Sequence, residues 1–423
     1  MTYRPLNLGR WLLWGGFALI LLVAPLIFTK GAALSILCQI GTVMIFGLSY
    51  NMLLGQGGML SFGHAVYSGL GAFFAIHTMN QAATGIHVPT TLIPLLGGFA
   101  GMFFGVLFGY VTTKKSGTTF AMITLGLVEL VFASSLMFPG FFGGEGGVTT
   151  NRVIGQPFLG ISFGPQIQVY YLIAFWLFVS TIAMFAFTQT PLGRMLNAVR
   201  DNPERVEFIG YDTQWVRYLT LILSAFFAGI SGALGAINFE IVSAENVSAF
   251  RSGGILLFVF IGGIGFFFGP LLGAVVGIFF VVMLSDFTAA WQLYLGLFFL
   301  TLVRYAPAGL SSLVMMMLRV AKFGKFGRIW KRLLLVSAVV LCGVFGMVIA
   351  IELLYHLTLE SANGSTMRLF GVQTDTHSPM PWLLAAFAVL VSWFGYRATQ
   401  PAYAEAWNEV NAEIAAKLKG GAA

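Results

Sequence analysis

The sequence predicts an all-α, polytopic membrane protein, and three observations predict it. Hydrophobic residues make up 58% of the 423 residues and charged residues only 9%, giving a mean hydropathy of +0.88. Apolar runs approaching the about 20 residues needed to cross a hydrocarbon core recur along the whole chain. Basic residues gather in alternate connections between those runs. A water-soluble domain of this length carries far more charge, so the soluble classes are excluded.

The runs, in order, are Trp11–Phe28, Leu34–Leu54, Val66–His77, Leu92–Val111, Thr118–Phe138 and Val169–Phe187. They continue with Tyr218–Ile237, Gly254–Phe268, Leu271–Leu284, Trp291–Arg304, Leu333–Leu354 and Pro381–Tyr396. Arg4 and Arg10 before the first run resemble a signal peptide, but the run is long and no A-x-A site follows it, which predicts an uncleaved first span. Placing the N-terminus in the cytoplasm and alternating through the twelve runs puts 18 of the 22 basic residues inside. Lys30, Arg152, Arg251 and Arg368 fall outside. That bias supports a topology with both ends inside, and it accounts for the net charge of +7 without a nucleic-acid partner.

Four regions follow from this. Residues 1–318 form a transmembrane core of about ten spans, and 319–332 a basic cytoplasmic linker. Residues 333–396 form a two-span extension, and 397–423 a cytoplasmic tail with a short surface helix over Tyr403–Leu418. The basic run Arg319–Arg332 sits directly before a span, where such runs anchor to anionic lipid headgroups. Gly97, Gly101, Gly105 and Gly109 form a ladder at helical spacing. Gly265, Gly269, Gly273 and Gly277 repeat it, with Pro270 expected to split the second ladder into two shorter spans. Small residues four apart let helices approach closely in lipid, either within the chain or against a partner. Cys38 and Cys342 lie in separate apolar runs and give neither a disulfide framework nor metal spacing.

Three segments are too polar or too glycine-rich for their depth. Gly55–His64 joins two apolar runs, and non-helical backbone there is tolerated only inside protein or along a watery cavity. Gln56, Ser61 and His64 are candidate pathway groups, the alternative being an ordinary loop with a helix cap at Ser61. Glu129 sits in the middle of Thr118–Phe138, where a carboxylate is expected to face the bundle interior or to take up a proton; it is a candidate pathway group that contacts a cationic part of a substrate, the alternative being a structural bond to Ser/Thr hydroxyls and backbone between helices. Thr118, Thr119 and Thr124 on the same helix line the same interior in that picture, with Thr124 the candidate pathway hydroxyl. Pro139–Gly147 on the outer side, with Gly144 and Gly146, offers N–H groups for a carboxylate or a docking partner, or else is a plain turn.

The most specific segment is cytoplasmic, Thr190–Gly210. Pro203 suits a helix first turn, with Asp201 or Asn202 as its cap, and Gly210 suits its stop. A charged, exposed helix between two spans is suited to dock a cytoplasmic partner or simply to be a solvated surface. No phosphate loop of the G-x-x-x-x-G-K-[ST] kind occurs, no nucleophile–base constellation is visible, and the histidines (64, 77, 87, 356 and 377) lack metal spacing.

Several segments together resemble the integral membrane permeases of branched-chain amino acid (Liv-type) ABC importers, in particular their longer, M-type partner. They are residues 48–73 (LSYNMLLGQGGMLSFGHAVYSGLGAF), 120–132 (FAMITLGLVELVF), 143–149 (GGEGGVT) and 190–212 (TPLGRMLNAVRDNPERVEFIGYD). Residues 223–234 and 262–277 are similar too. The resemblance covers roughly residues 10–315 and does not extend to the last two spans. It implies a non-catalytic, multi-pass subunit of a bacterial inner membrane, working with a second homologous permease, two cytoplasmic ATPase subunits and a periplasmic solute-binding protein. ATP and magnesium would be held by the ATPases, with no cofactor on this chain. Arg200, Asp201, Asn202, Pro203, Glu204, Arg205, Glu207 and Gly210 would carry the ATPase contact. The family's solutes include branched-chain amino acids, urea, short amides and aromatic acids. A stand-alone secondary transporter or channel is the alternative, and it leaves Thr190–Gly210 without a purpose.

Overall fold

The computed structural model describes residues 8–81, 88–153, 162–359 and 364–420. Arg4 and His87 lie outside them. The chain is helical almost throughout. Its N-terminal part runs α1 (Leu8–Ile27), α2 (Gly31–Asn51), a π-helical turn Met52–Gln56, α3 (His64–Gln81), α4 (Ile93–Thr112), α5 (Gly117–Met137) and α6 (Pro139–Phe142). There follow β1 (Val148–Thr149), α7 (Gln166–Gln189), α8 (Pro191–Asp201), α9 (Pro203–Phe208), α10 (Thr213–Phe239), β2 (Ile241–Val242) and a 3-10 turn, Ala244–Val247. Then come α11 (Ala249–Gly262), α12 (Gly269–Ile278) with a π-helical turn to Leu284, α13 (Trp291–Tyr305) and α14 (Leu310–Lys322). The chain ends with α15 (Phe326–Leu359), β3 (Thr366–Leu369), β4 (Val372–Asp375) and α16 (Pro379–Gly420).

Each of the twelve expected runs overlaps a helix, Gly254–Phe268 only as far as Gly262. Among the described residues, seven helices are long and apolar enough to cross a membrane, and eight if α13 and α14 form one bent span. The helices around Trp11–Ile27, Ala249–Gly262 and Gly269–Leu284 are apolar but shorter. α3 carries His64, Ser68, His77, Asn80 and Gln81, and these polar groups dilute its hydropathy. The protein is thus a multi-pass, all-α membrane protein with, among the described residues, two minimal antiparallel β pairs, Val148 opposite Val242 and Thr366 opposite Asp375 at their ends.

Two compact units make up the chain, residues 1–283 with 297–311, and residues 284–296 with 312–423. In the first, α10 is the central helix, with 89% of its apolar window buried. It packs against α4, α3 and α2. Backbone crosses backbone closely there because small residues line the contact. A Cβ at Gly101 would stand 2.4 Å from the Ala225 carbonyl oxygen, and one at Gly97 would stand 2.5 Å from the Ala233 Cβ. The first glycine ladder is therefore internal packing. The second ladder is split as expected: α11 stops at Gly262 and α12 begins at Gly269 with Pro270 in its first turn. Gly273 and Gly277 then lie against Phe258.

In the second unit α15 and α16 pack on one another. Tyr294 Oη donates to Glu352 Oε1 at 2.7 Å. The expected separate tail helix is instead the end of α16, which runs unbroken for 42 residues through Pro401. Its last turns are held by tertiary contacts. Val410 and Ile414 are buried with Val320 and Ile329, while Glu413 pairs with Lys325 and, at 3.0 Å, with Arg328.

Candidate functional site

The candidate site is the interruption between α2 and α3. A Cβ at Gly55 would come within 2.2 Å of Asn51 Oδ1 and 2.6 Å of the Ile264 carbonyl oxygen. Gly58 takes φ +64° with Arg200 Cγ 2.9 Å from where its Cβ would be. Only glycine fits there, so the helix unwinds through its π turn and the chain reverses to His64. The freed backbone is satisfied from three other elements. Tyr50 Oη donates to the Ser61 carbonyl at 2.8 Å, Phe62 N to Thr124 Oγ1 at 3.1 Å, and Ala65 N to Ser252 Oγ at 2.9 Å. This meets the requirement that irregular backbone at membrane depth be enclosed by protein.

His64 is fully buried at the start of α3. Its ring stacks on Phe46 and meets Tyr50 and Tyr67 edge-on. Nε2 lies 3.0 Å from Ser49 Oγ, and the Ser49 hydroxyl donates its one proton to the Phe46 carbonyl at 2.7 Å. Nε2 must therefore carry the hydrogen and donate to Ser49. Nδ1 is left buried and unpartnered, as are Ser61 Oγ, Tyr67 Oη and Ser68 Oγ. The four named groups divide by environment: Ser61, His64 and Thr124 are buried around the break, and Gln56 at the end of the π turn is partly exposed.

Glu129 departs from expectation. The structure places it on the exposed face of α5, with Thr118 and Thr119 also exposed, and of this group only Thr124 turns inward. Five residues along a helix rotate the direction by about 140°, so Thr124 and Glu129 cannot share a face.

The glycine segment Pro139–Gly147, expected on the outer side, is a folded turn. Gly143, Gly144 and Gly147 all have φ between +63° and +75°, and a Cβ at Gly147 would lie 2.5 Å from the Val242 carbonyl oxygen. Gly146 has no atom within 4 Å of its Cβ position. His77 Nε2 donates to the Phe141 carbonyl at 2.7 Å. Arg152, counted only as an outer charge, ties this region down. Its side chain donates to the carbonyls of Phe163 (2.8 Å) and Asn238 (3.3 Å). The latter contact sits at the C-terminal end of α10, where a cation is favoured.

The segment Thr190–Gly210, expected on the cytoplasmic side, forms two helices at a sharp joint. Thr190 caps α8, accepting from Gly193 N at 3.2 Å. Asn202, not Asp201, caps α9, accepting from Arg205 N at 3.0 Å. Gly210 at φ +90° ends it, with Tyr211 N donating back to the Val206 carbonyl at 3.2 Å. Pro203, Glu204, Arg205 and Glu207 are exposed while Val206 is buried; Glu207 Oε1 accepts from Thr213 Oγ1 at 2.9 Å.

Arg200 faces its own chain. Its Nη1 donates to the Gly55 carbonyl at 2.6 Å and its Nε to Asp201 Oδ1 at 3.0 Å. With buried Leu196 3.1 Å from the Cβ position of Gly57, it joins α8 to the unwound end of α2. The sequence reading missed the apolar knob beside it. Phe208 is 90% exposed, with Ile209 and Tyr211 also exposed, and three such residues after a charged helix were the available signal. Ile209 lines a groove of about 440 Å³ with Pro191, Arg194 and Met195.

The sequence matches, over residues 32–320, the family described as the permease component of the branched-chain amino acid transport system. It is similar to the LivM high-affinity branched-chain amino acid transport permease of Escherichia coli K12, 26% identical over 288 residues, covering 63% of this chain and 67% of that protein. The LivM protein of Salmonella typhimurium LT2 is similar to the same extent. No solved structure matches the chain.

Proposed function

The chain belongs to the branched-chain amino acid transport permease family, and from that premise we propose that it forms, with a second homologous permease, the path of an ABC importer driven by two cytoplasmic ATPases. A periplasmic solute-binding protein delivers the solute, and ATP and magnesium stay on the ATPases. Twelve spans with both ends in the cytoplasm fit the basic-residue bias. The solutes are branched-chain amino acids or related small molecules.

The observation that carries this reading is the bond from Arg200 to the Gly55 carbonyl. It makes α8 and α9 more than a solvated surface. Movement imposed on them is transmitted to the unwound end of α2, and through Phe62, Ala65 and Thr124 to α3, α11 and α5. The exposed Phe208, Ile209 and Tyr211 supply the apolar anchor, and Glu204, Arg205 and Glu207 its polar rim, for a groove on the ATPase. Interface energy concentrates in such buried anchors, each worth ~2 kcal/mol or more. Phe208→Ala is accordingly expected to reduce ATPase co-purification at least tenfold without lowering the amount of chain in the membrane, measured by quantitative mass spectrometry of a mild-detergent preparation.

The same preparation of the wild type tests the reading as a whole. Recovery of a second permease and ATPase subunits is expected. A chain that is reproducibly stable and transports alone would overturn it in favour of a secondary transporter or channel, with exposed Glu129 as its proton site.

A single hydroxyl holds the α5 side of the break. Thr124→Val leaves the Phe62 amide without its partner, at ~1–3 kcal/mol. Uptake is expected to fall about tenfold or more, with Thr124→Ser close to wild type. Equal uptake in Thr124→Val and wild type would remove Thr124 from the site.

A further inference from the structure

We propose that α14 seats one anionic phospholipid, an acyl chain lying in an apolar groove along the helix and the headgroup phosphate held at its end by Lys322 and Arg319. The residues of this site all belong to the second unit.

α14 is apolar on two sides, and its own chain covers one of them. Val320 is buried with Ile329 of α15 and with Val410 and Ile414 of α16, and Phe323 packs against the same cluster. The other side is open. Leu313, Val314, Met317, Leu318 and Ala321, with Phe326 from the first turn of α15, line a groove of about 390 Å³. Leu313, Val314, Leu318 and Phe326 are exposed there. A contiguous apolar strip of this kind marks a surface that is covered in use.

The positive charge sits at one end of the strip. Val314, Leu318 and Lys322 follow one another at four-residue spacing, so the row passes from groove to cation on one face. Arg319, three residues before Lys322, is its neighbour on the helix surface. Both are exposed in the last turn of α14. The fold divides the basic run that contains them. Glu413 takes Lys325 and Arg328, whereas Arg319 and Lys322 have no ion pair among the described residues.

The depth of the groove fits a headgroup. Four residues beyond Phe326, Trp330 carries the Lys331 ammonium 5.9 Å from its ring centre. Arg332 Nη1 donates to the Ala402 carbonyl at 2.7 Å, which brings the stacked rings of Tyr403 and Trp407 to the same level. Aromatic rings and cations directly before an apolar run mark the membrane–water interface.

The strip suits lipid better than a protein partner. Stable protein interfaces engage about 20–30 residues a side, and this groove offers six side chains on a helix about 20 Å long. No acidic side chain lines it. An apolar strip ending in two unpaired cations matches an acyl chain that ends in a phosphate, as in helices that lie in the membrane interface.

The test adds dioleoylphosphatidylglycerol or dioleoylphosphatidylcholine to the full-length chain in mild detergent. Bound lipid is counted by native mass spectrometry, with melting temperature followed in parallel. One phosphatidylglycerol is expected to bind at least tenfold more tightly than phosphatidylcholine and to raise the melting temperature. Arg319→Glu with Lys322→Glu is expected to abolish that preference, and Val314→Ser with Leu318→Ser to weaken binding at least tenfold. Arg368→Glu, which reverses an exposed charge on β3, is expected to change neither. Arg319→Gln with Lys322→Gln serves in place of the reversed pair if that pair does not accumulate. None of these readouts requires transport, so they decide the lipid site whatever becomes of the importer reading. Equal binding of the two lipids, or displacement of phosphatidylglycerol by millimolar inorganic phosphate, would overturn the proposal. So would a cross-link from Leu318→Cys to a co-purifying subunit or to a second copy of the chain, which would make the strip a protein interface.

Discussion

Arg200→Glu is expected to abolish uptake, by at least about a hundredfold, while the chain remains in the membrane at wild-type level. The guanidinium makes a charge-assisted bond of 2.6 Å to the Gly55 carbonyl, of a kind worth ~1.5–3 kcal/mol. That is a factor of roughly ten to a hundred in the population of the joined state. Glutamate does worse than remove the bond, because it sets a negative charge against a carbonyl oxygen and beside Asp201. Arg200→Lys keeps the charge but loses the fork that reaches Gly55 and Asp201 together, so an intermediate loss is expected. Pro203→Leu acts on the same joint by releasing the first turn of α9, and also abolishes uptake. The measurement is uptake normalised to membrane-embedded chain, with ATP hydrolysis followed in parallel. Hydrolysis that persists without transport identifies uncoupling, whereas normal uptake in Arg200→Glu would show that the α8–α2 connection transmits nothing.

What the sequence disclosed, and what it hid, follows from the range of the interactions. The Asn202 cap and the Gly210 stop are decided by neighbours within a few residues, so their signals survive in one dimension; the break at Gly55–Gly58 shows as a glycine cluster, although Ile264 and Arg200, which crowd it, lie far along the chain. The Arg200–Gly55 bond spans 145 residues and has no local signature. The direction of Glu129 was hidden for another reason. α5 is apolar on nearly every side, because lipid and protein interior both accept apolar groups, so helical periodicity marks no inner face. The tail was expected to be separate on account of its polar composition, yet α16 continues through Pro401 because Val410, Ile414 and Glu413 bind it to the basic linker.

The core of the first unit makes an opposite prediction for two glycines less than one turn apart on α10. Glycine inside a helix costs ~0.5–1 kcal/mol relative to alanine, so Gly→Ala stabilises wherever the methyl group fits. At Gly235 nothing lies within 4 Å of the new Cβ, and Gly235→Ala is expected to raise thermal stability in detergent or leave it unchanged. At Gly232 the same methyl would stand 1.8 Å from the Ser68 carbonyl oxygen and 2.7 Å from its carbon. Backbone cannot rotate aside as a side chain can, so α3 and α10 must separate. Ser231 beside it would then strain its own bond to the Thr42 carbonyl, 2.7 Å long. Overpacking of a tight core costs ~1–3 kcal/mol, which exceeds the helix-propensity gain and reverses its sign. Gly232→Ala should therefore melt several degrees below wild type and reach the membrane in reduced amount, and a larger residue there should not accumulate. Comparable melting of the two alanine variants would mean that α10 and α3 are not in backbone contact at Ser68. The break between α2 and α3, supported from behind by that contact and by the Ser224 bond to the Ser49 carbonyl, would then lack the rigid base against which α8 is proposed to pull.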